Sequence, residues 1–434
     1  REILENKRKA LKINLDESIY GTFAEIGAGQ EVARNFFTAG AASGTIAKTM
    51  SAYDMVFSNS IYGEEESGRY VSESRLDKMI QHEFGLLSER LCGPKYAGKT
   101  FFAFADTVTT LNFNKTNDPH GWLGIRFQLS PGGEPNDIVF HVRLLDSDSN
   151  LQQNVLGILG VNLVYAAYYY HDDVQSMIES LVDNLTIGSV EIDLISLSGP
   201  EFKNANDRLV NLYLIAKGFS GAAIFDKNGH ARQSKDVLYK KDVMILRTKF
   251  GQKSTPNFDL FNKAVEQFKR TQKVNDKNII VMIEVLMTNF LEDKSELSNE
   301  DLEKVAKRAE ELCATGNYVI VSDFARNHKL AQYLSRCSPK SVGISTNIAN
   351  LKNIFNSENY GENYTDELLA YISDLFSKNV RLYAYPYLDK KNKQIITTRN
   401  MPVSKESKHL FEFLIQNGYI MDIDDYDEKD VKTV

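Results

Sequence analysis

Apolar residues in the first ninety positions recur at the spacing of amphipathic helices. The spacing occurs in three segments, at Val32, Ala33, Phe36 and Phe37, at Ile46, Met50, Tyr53 and Phe57, and at Leu76, Met79, Ile80, Phe84 and Leu87. Residues three and four apart share one face of a helix, so each segment predicts a helix with one buried side. The pattern therefore predicts a helical N-terminal layer.

The pattern changes to strands after residue 98. Residues 99–113 predict one strand, and residues 120–129 and 136–145 alternate in polarity on either side of a Pro- and Gly-rich loop. A period of two predicts strands with one buried face, and a short loop between two of them predicts a hairpin. A long helical stretch follows at 150–186.

From residue 190 onward, strand-like and helix-like segments alternate. Apolar strands are predicted at 189–196, 221–225, 242–248, 278–286, 317–323, 341–346 and 380–386, with amphipathic helices at 258–272, 299–314, 326–336 and 364–378. This alternation is typical of a parallel sheet covered by helices. We therefore predict an α/β protein of two domains. A helical N-terminal layer plus β-hairpin at 1–189 is followed by a mostly parallel, helix-covered sheet at 190–434.

Composition narrows the class of protein. The chain has 434 residues, of which 42% are hydrophobic and 25% charged, and its net charge is −7. A negative chain lacks the basic surface that neutralises phosphates, so we expect no nucleic-acid partner. The most apolar stretch, 155–170, is shorter than the roughly twenty residues of a membrane-spanning helix, so we expect no membrane partner.

Cysteine and histidine usage bears on location and on metals. Cys92, Cys313 and Cys337 are few and widely spaced, as is typical of a reducing cytoplasm. No two of the seven histidines have the spacing of metal ligands, so we predict no metal site. The sequence does not identify a cofactor.

The segment 23–54 is rich in small residues and contains a glycine turn. Gly27 and Gly29 lie between a strand-like and a helix-like stretch, as in a dinucleotide-binding turn. Val32 stands where that motif has its third glycine, and Glu25 puts a carboxylate near the phosphate position. We therefore favour a tight turn between packed elements. Residues 40–49 superficially resemble a phosphate-binding loop, a motif that needs a lysine directly after its second glycine. Lys48 comes four residues after Gly44, so the motif is rejected and Lys48 is kept as a candidate anion contact.

The predicted hairpin carries the richest set of polar side chains. Strand alternation places Arg126, His141 and Arg143 on one face beside Trp122, the only tryptophan. Guanidinium groups bind carboxylate or phosphate, and an indole offers a stacking surface. The alternative is that both arginines pair with acids of the helical layer, namely Glu25, Glu31 or Asp54. In either case the hairpin face is predicted to meet the 23–54 segment.

Polar residues also follow several strands of the second half. They include Ser196, Ser198, Glu284, Thr288, Asn289, Asp323, Ser345, Thr346 and Tyr385. Ligands of open α/β sheets bind at the carboxyl ends of strands, so these residues are candidates as a group. Helix capping is the alternative role for a residue such as Asp323. Asp106, in the apolar run 101–106, is a further candidate acid, with turn formation as its alternative.

Several stretches of the sequence resemble one widespread bacterial family. The resemblance is carried by FAEIGAGQEVARNFF, GTIAKTMSAYDM, HGWLGIRFQ, FHVRLLD, LGILGVNLVYAAYYY and LYKKDVMILR, over essentially the whole chain. Members are labelled either "TonB-dependent receptor" or "nicotinamide (or nicotinate) nucleotide adenylyltransferase". The first label implies many alternating membrane strands, a pattern not visible here. The second implies an H-x-G-H pair, for which only Asn228-Gly229-His230 is a partial match.

Two hypotheses of different class follow. The first is an enzyme or binding protein for a phosphorylated or nucleotide-like small molecule, at the seam of the 23–54 segment and the hairpin. Its ligand-binding residues would be Gly27, Gly29, Lys48, Trp122, Arg126 and Arg143, and its proton-transferring residues Glu25, Glu31, Asp54 and His141. The second is a non-catalytic scaffold that assembles with copies of itself. Tyr168, Tyr169 and Tyr170 would suit such a homo-oligomer interface.

Overall fold

The computed structural model of the chain describes residues 1–66, 68–186, 188–247, 258–291, 297–360, 363–389, 393–426 and 431. It divides into two units, Arg1–Ser220 and Gly221–Val434. The boundary differs from the expected 189/190. The strand at 190–198 pairs with a strand of the first unit, so residues 190–220 belong to that unit.

The first unit is built around one six-stranded sheet. Its helices are α1 (Asn6–Leu15), α2 (Gln30–Ala39), α3 (Met55–Tyr62), α4 (Glu73–Arg90), α5 (Ser149–Tyr169), α6 (Val174–Leu181) and α7 (Asp207–Ala216). Its strands are β1 (Ile19–Ile26), β2 (Ile46–Ser51), β3 (Thr100–Thr109), β4 (His120–Phe127), β5 (Asn136–Leu144) and β6 (Val190–Ser198). The strand order is β2-β1-β3-β4-β5-β6.

The first three strands are parallel and are connected on opposite faces of the sheet. Helix α2 joins β1 to the parallel strand β2, and it covers the face where the Phe23 and Phe36 rings lie 5.1 Å apart. Helix α4 leads from β2 to β3 on the other face, where its Leu76 lies against Gly124 of β4. Strand β2 is therefore added on one side of β1 and strand β3 on the other, so the topological switch point of the sheet lies between β1 and β3.

The expected hairpin and the long helix are found with small changes. Strands β4 and β5 pair antiparallel, as predicted for 120–129 and 136–145. The helical stretch 150–186 is divided into α5 and α6, because Asp173 caps the start of α6 by accepting from Gln175 and Ser176. The prediction of a helix through Ile46 and Met50 is wrong, since these residues form the edge strand β2.

The second unit holds an eight-stranded sheet and a small two-stranded ribbon. Its helices are α8 (Ser234–Leu238), α9 (Phe258–Gln272), α10 (Asn299–Cys313), α11 (Asn327–Arg336), α12 (Ile348–Ile354), α13 (Tyr364–Leu375) and α14 (Lys408–Gln416). Its strands are β7 (Ala222–Phe225), β8 (Ala231–Arg232), β9 (Asp242–Arg247), β10 (Ile279–Leu286), β11 (Tyr318–Ser322), β12 (Ser341–Asn347), β13 (Val380–Tyr385), β14 (Tyr387–Asp389), β15 (Gln394–Ile396) and β16 (Ile420–Asp422). The last residue of the strand predicted at 242–248 lies outside the described residues.

The eight strands run in the order β16-β13-β12-β9-β10-β11-β7-β8. Each pair of neighbours from β16 to β11 is parallel, whereas β7 pairs antiparallel with β11 and β8 pairs antiparallel with β7. Helices α11 to α14 bury their apolar faces in one core cluster on the sheet, while Phe268 of α9 contacts Tyr383 at 5.9 Å. This confirms the predicted α/β class and the mostly parallel sheet.

The six parallel strands have the order of doubly wound nucleotide-binding sheets. Numbered along the chain from β9, they read 3-2-1-4-5-6 across the sheet. In such sheets the strand order reverses between strands 1 and 4, and the crevice beyond the carboxyl ends of these two strands is open to ligands. Here that crevice lies beyond the ends of β9 and β12. No described helix has the length and hydrophobicity that a membrane crossing needs.

The contact between α2 and α5 depends on glycine. A Cβ at Gly160 would lie 2.4 Å from a Val32 methyl carbon, whereas a Cβ at Gly85 of α4 would meet nothing within 4 Å. We expect Gly160→Ala to lower the free energy of unfolding of the first unit by about 1–3 kcal/mol, because the helices must separate. We expect the matched change Gly85→Ala to raise it by up to about 1 kcal/mol through helix propensity.

Urea titration followed by the fluorescence of Trp122 measures both effects. Trp122 is the only tryptophan and is buried in the first unit. Equal midpoints for the two variants would contradict the close approach of α2 and α5.

Candidate functional site

The residues expected to form one site lie on two faces of the first sheet. Side chains alternate along a strand, and the pairing register aligns Glu25 with Asp106 and with Leu123. Trp122, Arg126 and His141 therefore point to the opposite face, as does Lys48, whose strand partner is Thr22. The predicted seam between the acids of the 23–54 segment and the hairpin arginines is wrong for this reason.

Each cation of that set is paired on the α4 face. Arg126 binds both carboxylate oxygens of Asp137 at 2.8 Å, and Asp137 is its neighbour across the hairpin. Arg143 donates to Glu191 at 2.8 Å and to Asp118 at 3.3 Å. The alternative interpretation, pairing with carboxylates, matches what is seen. However, the carboxylates belong to the hairpin, the loop before it and β6, not to the helical layer.

Lys48 and His141 also have partners within the first unit, Lys48 at the surface and His141 in the interior. The Lys48 ammonium bonds to Glu83 of α4. His141 is 2% exposed, with Nδ1 2.6 Å from Asp193 and Nε2 3.0 Å from Nδ1 of His120. The Trp122 ring lies 5.0 Å from the His141 ring, so the indole packs against a buried polar chain.

Glu25 and Asp106 lie side by side on the α2 face. They are aligned partners on adjacent parallel strands, and they are 1% and 0% exposed. The Ser51 hydroxyl donates to Glu25 Oε2 at 3.0 Å. Among the described residues, Glu25 Oε1 and both carboxylate oxygens of Asp106 have no hydrogen-bond partner.

The surroundings of the pair favour bound protons. Burial raises the pKa of Glu25 to about 7, against hydrogen bonds from the Ser51 hydroxyl and the Ala33 backbone. Burial and the adjacent Glu25 raise the pKa of Asp106 well above its usual range. Two adjacent carboxyl groups with raised pKa values hold a proton near neutrality and are suited to acid–base chemistry. In the part of the chain that the structure describes, no group of three or more His, Cys, Asp and Glu side chains could hold a metal ion.

The glycine turn lies directly on this pair. Gly29 precedes α2, and a Cβ at this position would be 1.8 Å from Asp106 Oδ2. Gly27 has φ of 99°, and a Cβ there would be 1.9 Å from the Val108 carbonyl oxygen. The turn therefore needs glycine to approach β3, as the interpretation of a tight turn between packed elements expects.

A cleft of about 620 Å³ opens at this turn. It lies beyond the carboxyl ends of β1 and β3, at the topological switch point of the sheet. Open α/β sheets bind ligands at such points. Its described lining residues are Ile26, Gly27, Ala28, Gln30, Ala52, Tyr53, Asp54, Met55, Ser58, Tyr70, Val71, Val108, Thr109, Thr110, Leu111, Asn112 and Gln153. Of the expected site residues, Gly27 and Asp54 line the cleft, whereas Glu25 is buried beneath the turn and is not part of the described lining.

The remaining predicted acids take different places. Asp54 is exposed in the cleft and caps α3 by accepting from the Phe57 N–H at 2.8 Å. Glu31 lies on α2 and pairs with Arg34 at 3.0 Å, and its charge contributes to the raised pKa of Glu25. Ser58 was not anticipated. The residue is part of the cleft lining, and its buried hydroxyl has no hydrogen-bond partner among the described residues.

A smaller cleft lies at the strand ends of the second unit and has a volume of about 350 Å³. Of the polar strand-end residues that were predicted as a group, Glu284 is the one in its described lining. Ser345 is not part of it, since its hydroxyl donates to the Ile245 carbonyl at 3.1 Å. Arg247 and Arg326 also line the cleft and were not predicted. A charged residue that ends the apolar strand 242–247 was the available signal for Arg247.

The tyrosines expected at a subunit interface are engaged within the chain. Tyr168 contacts Phe102 and Phe127 at ring distances of 6.3 and 5.7 Å. Tyr169 stacks on Tyr165 at 4.6 Å, with the Lys12 ammonium 4.0 Å from its ring. Self-assembly stays a prediction, and these side chains do not support it.

Comparisons with known proteins add a partial resemblance. No protein-family model matches the chain, and no curated protein matches it. Among solved structures, the competence/damage-inducible protein CihA from Agrobacterium tumefaciens is 15% identical with a TM-score of 0.27, covering 38% of this chain and 98% of that chain. A competence or damage-inducible protein from Enterobacter asburiae is 12% identical with a TM-score of 0.27, at the same coverage of 38% and 98%.

A third solved structure gives the same picture. A competence-damaged protein (CinA) superfamily protein from Escherichia coli is 11% identical with a TM-score of 0.26, covering 42% of this chain and 95% of that chain. At these TM-scores the resemblances carry no functional argument, and the site rests on its own geometry. They also leave the resemblance to the bacterial family as a prediction.

The acid pair predicts how stability depends on pH. The folded chain keeps the Glu25 proton up to about pH 7, while an unfolded glutamate loses it near pH 4.5. Between these values the folded state binds more protons, so the free energy of unfolding falls as pH rises, by about 3 kcal/mol for Glu25. We expect Glu25→Gln to remove the part of this fall that Glu25 contributes, because an amide has no proton to lose. The part contributed by Asp106, whose pKa is also raised, remains.

Urea titrations at pH 5, 6, 7 and 8, followed through Trp122, measure this dependence. Asp172→Asn is the control, since Asp172 is exposed and outside the cleft. A fall of the same size in the Glu25→Gln protein would contradict the assignment.

Proposed function

We propose that this protein binds a nucleoside-like small molecule in the cleft of the first unit and exchanges a proton with it through the Glu25–Asp106 pair. The observation that carries the proposal is the pair itself. Three of its four buried carboxylate oxygens have no partner among the described residues. A buried polar group without a partner costs about 1–3 kcal/mol, so such a pair is kept for a role beyond stability.

The position of the pair supports proton transfer. It lies beneath the Gly27–Gly29 turn, and Gly27 lines the cleft. A pKa of about 7 for Glu25 makes both protonation states available near neutrality. A general acid or base works best when its pKa is close to the operating pH.

The cleft walls indicate the ligand class. A cleft of about 620 Å³ accommodates a molecule of nucleoside size. Tyr53 is 78% exposed at the rim and offers a ring for stacking, while Asp54 can accept hydrogen bonds from vicinal hydroxyl groups. Among the described lining residues there is no Lys or Arg, so this cleft favours a nucleoside over a phosphorylated molecule.

Binding is tested with matched aspartate variants. We expect adenosine or another common nucleoside to bind in isothermal titration calorimetry, and Asp54→Asn to weaken that binding about tenfold. Asparagine also caps helices, so α3 is retained. Asp172→Asn makes the same chemical change outside the cleft and should leave the affinity unchanged. If none of the common nucleosides binds, the proposed ligand class is wrong.

Proton exchange is tested by titrating the same nucleoside in buffers of different ionisation enthalpy near pH 7. The apparent binding enthalpy should vary with the buffer for the natural protein, because the acid pair gains or releases a proton. The variation should disappear in Asp106→Asn, which keeps the shape of the side chain. Binding without buffer dependence in the natural protein would refute the role of the pair while leaving the cleft as the binding site.

A further inference from the structure

The second unit contains a separate cleft at the topological switch point of its sheet, between β9 and β12. Its walls come from the end of β9 (Arg247), the end of β10 (Glu284), the residues after β11 (Arg326) and helix α12 (Asn350, Asn353). Parallel strands present their carboxyl ends at one edge of the sheet, so these side chains converge although they are up to 106 residues apart in sequence (353 − 247).

Arg247 is the central observation. It is 8% exposed, and one of its terminal nitrogens, Nη2, donates to the Phe324 carbonyl. Its Nε lies 3.4 Å from Glu284 Oε2. The other terminal nitrogen, Nη1, is buried and has no hydrogen-bond partner among the described residues. An arginine held at two positions, with a buried donor on a cleft wall that no described residue accepts from, is arranged to bind a ligand acceptor.

Arg247 lies beside a buried acid. Its neighbour Glu284 is fully buried and accepts from the Ser322 hydroxyl at 2.6 Å. Burial raises the pKa of Glu284 in spite of the adjacent guanidinium, which favours the neutral carboxyl form. Arg326 lies on the same cleft and is exposed, which adds a second cation. The wall formed by these residues attracts anions.

The rest of the described lining is uncharged and combines amide and tyrosine side chains with Leu286, Ala325 and Ile354. Asn350 and Asn353 offer amide donors and acceptors to hydroxyl groups or to the edge of a base. Tyr360 forms another wall, and its hydroxyl is fixed by donating to the Ile354 carbonyl at 2.7 Å. A volume of about 350 Å³ is at the lower end of small-molecule sites. These features suit a phosphorylated small molecule such as a sugar phosphate or a mononucleotide.

We propose that the second unit binds a phosphorylated small molecule in this cleft, with the phosphate on Arg247 Nη1 and Arg326. Guanidinium groups match phosphate geometry, and two of them neutralise a phosphate dianion. The site is independent of the nucleoside cleft proposed for the first unit. It also supplies the anion-binding arginines that were expected of the hairpin.

The main test places a negative charge in the cleft with almost no change of volume. Isothermal titration calorimetry of the full chain would use AMP, ribose 5-phosphate and inorganic phosphate. We expect at least one phosphorylated probe to bind, more weakly as salt increases. Asn350→Asp should weaken that binding at least tenfold. Asn317→Asp, on a loop of the same unit outside the lining, should leave it unchanged.

Arginine variants test the two cations separately. Arg326→Gln should weaken binding several-fold, whereas Lys329→Gln, an exposed cation outside the lining, should not. Arg247→Lys keeps the charge but loses the planar fork, and it should weaken binding more than tenfold. Should this variant fail to fold, Asn350→Asp and Arg326→Gln still decide the question.

The outcomes separate the two clefts. Phosphate-dependent binding that Asn350→Asp weakens and Asp54→Asn leaves intact supports the second-unit site. If phosphorylated probes bind with unchanged affinity in Asn350→Asp and Arg326→Gln, or if none of them binds the natural protein, the proposal is overturned. Either result leaves nucleoside binding in the first unit to be judged by Asp54→Asn.

Discussion

The alternation of side chains across the first sheet decides which chemistry the first unit can perform. Register aligns Glu25 with Asp106, and everything an odd number of residues away along those strands faces the other side. The acids are therefore enclosed under α2 and the glycine turn, while the hairpin cations face α4. A shift of one residue in the pairing of β1 with β3 would separate the two carboxyl groups and dissolve the pair.

Much of the fold could be predicted because it follows from local patterns. The hairpin, the α/β alternation and most helices have the periodicity of their elements. The edge strand β2 could not, because Ile46, Met50, Tyr53 and Phe57 imitate a helical face, and an edge strand that is mostly exposed has no apolar alternation to correct this. The division after Ser220 rather than at 189/190 could not be read from the sequence, because the pairing of β6 with β5 is a long-range contact that no local pattern shows.

The candidate site was predicted in its parts and not in its arrangement. The importance of Gly27, Gly29 and Glu25 could be anticipated from residue type, since glycine permits close approach. Their position relative to Arg126 depends on register across β1, β3 and β4, which is a property of the folded sheet. Arg247 was missed for a related reason. Its chemistry becomes visible only when β9 is placed between β10 and β12.

The edges of the two sheets bear on how copies of this chain can associate. The second sheet ends in β8 and β16, which have two and three residues, so each edge exposes few backbone groups for pairing with another strand. In the first sheet, β2 carries Lys48 on its edge, and a charged side chain in that position opposes the addition of a further strand. Lys48, which the sequence suggested as a ligand contact, thus also hinders the pairing of another strand with β2. Aggregation through continuous sheets is therefore disfavoured at these three edges.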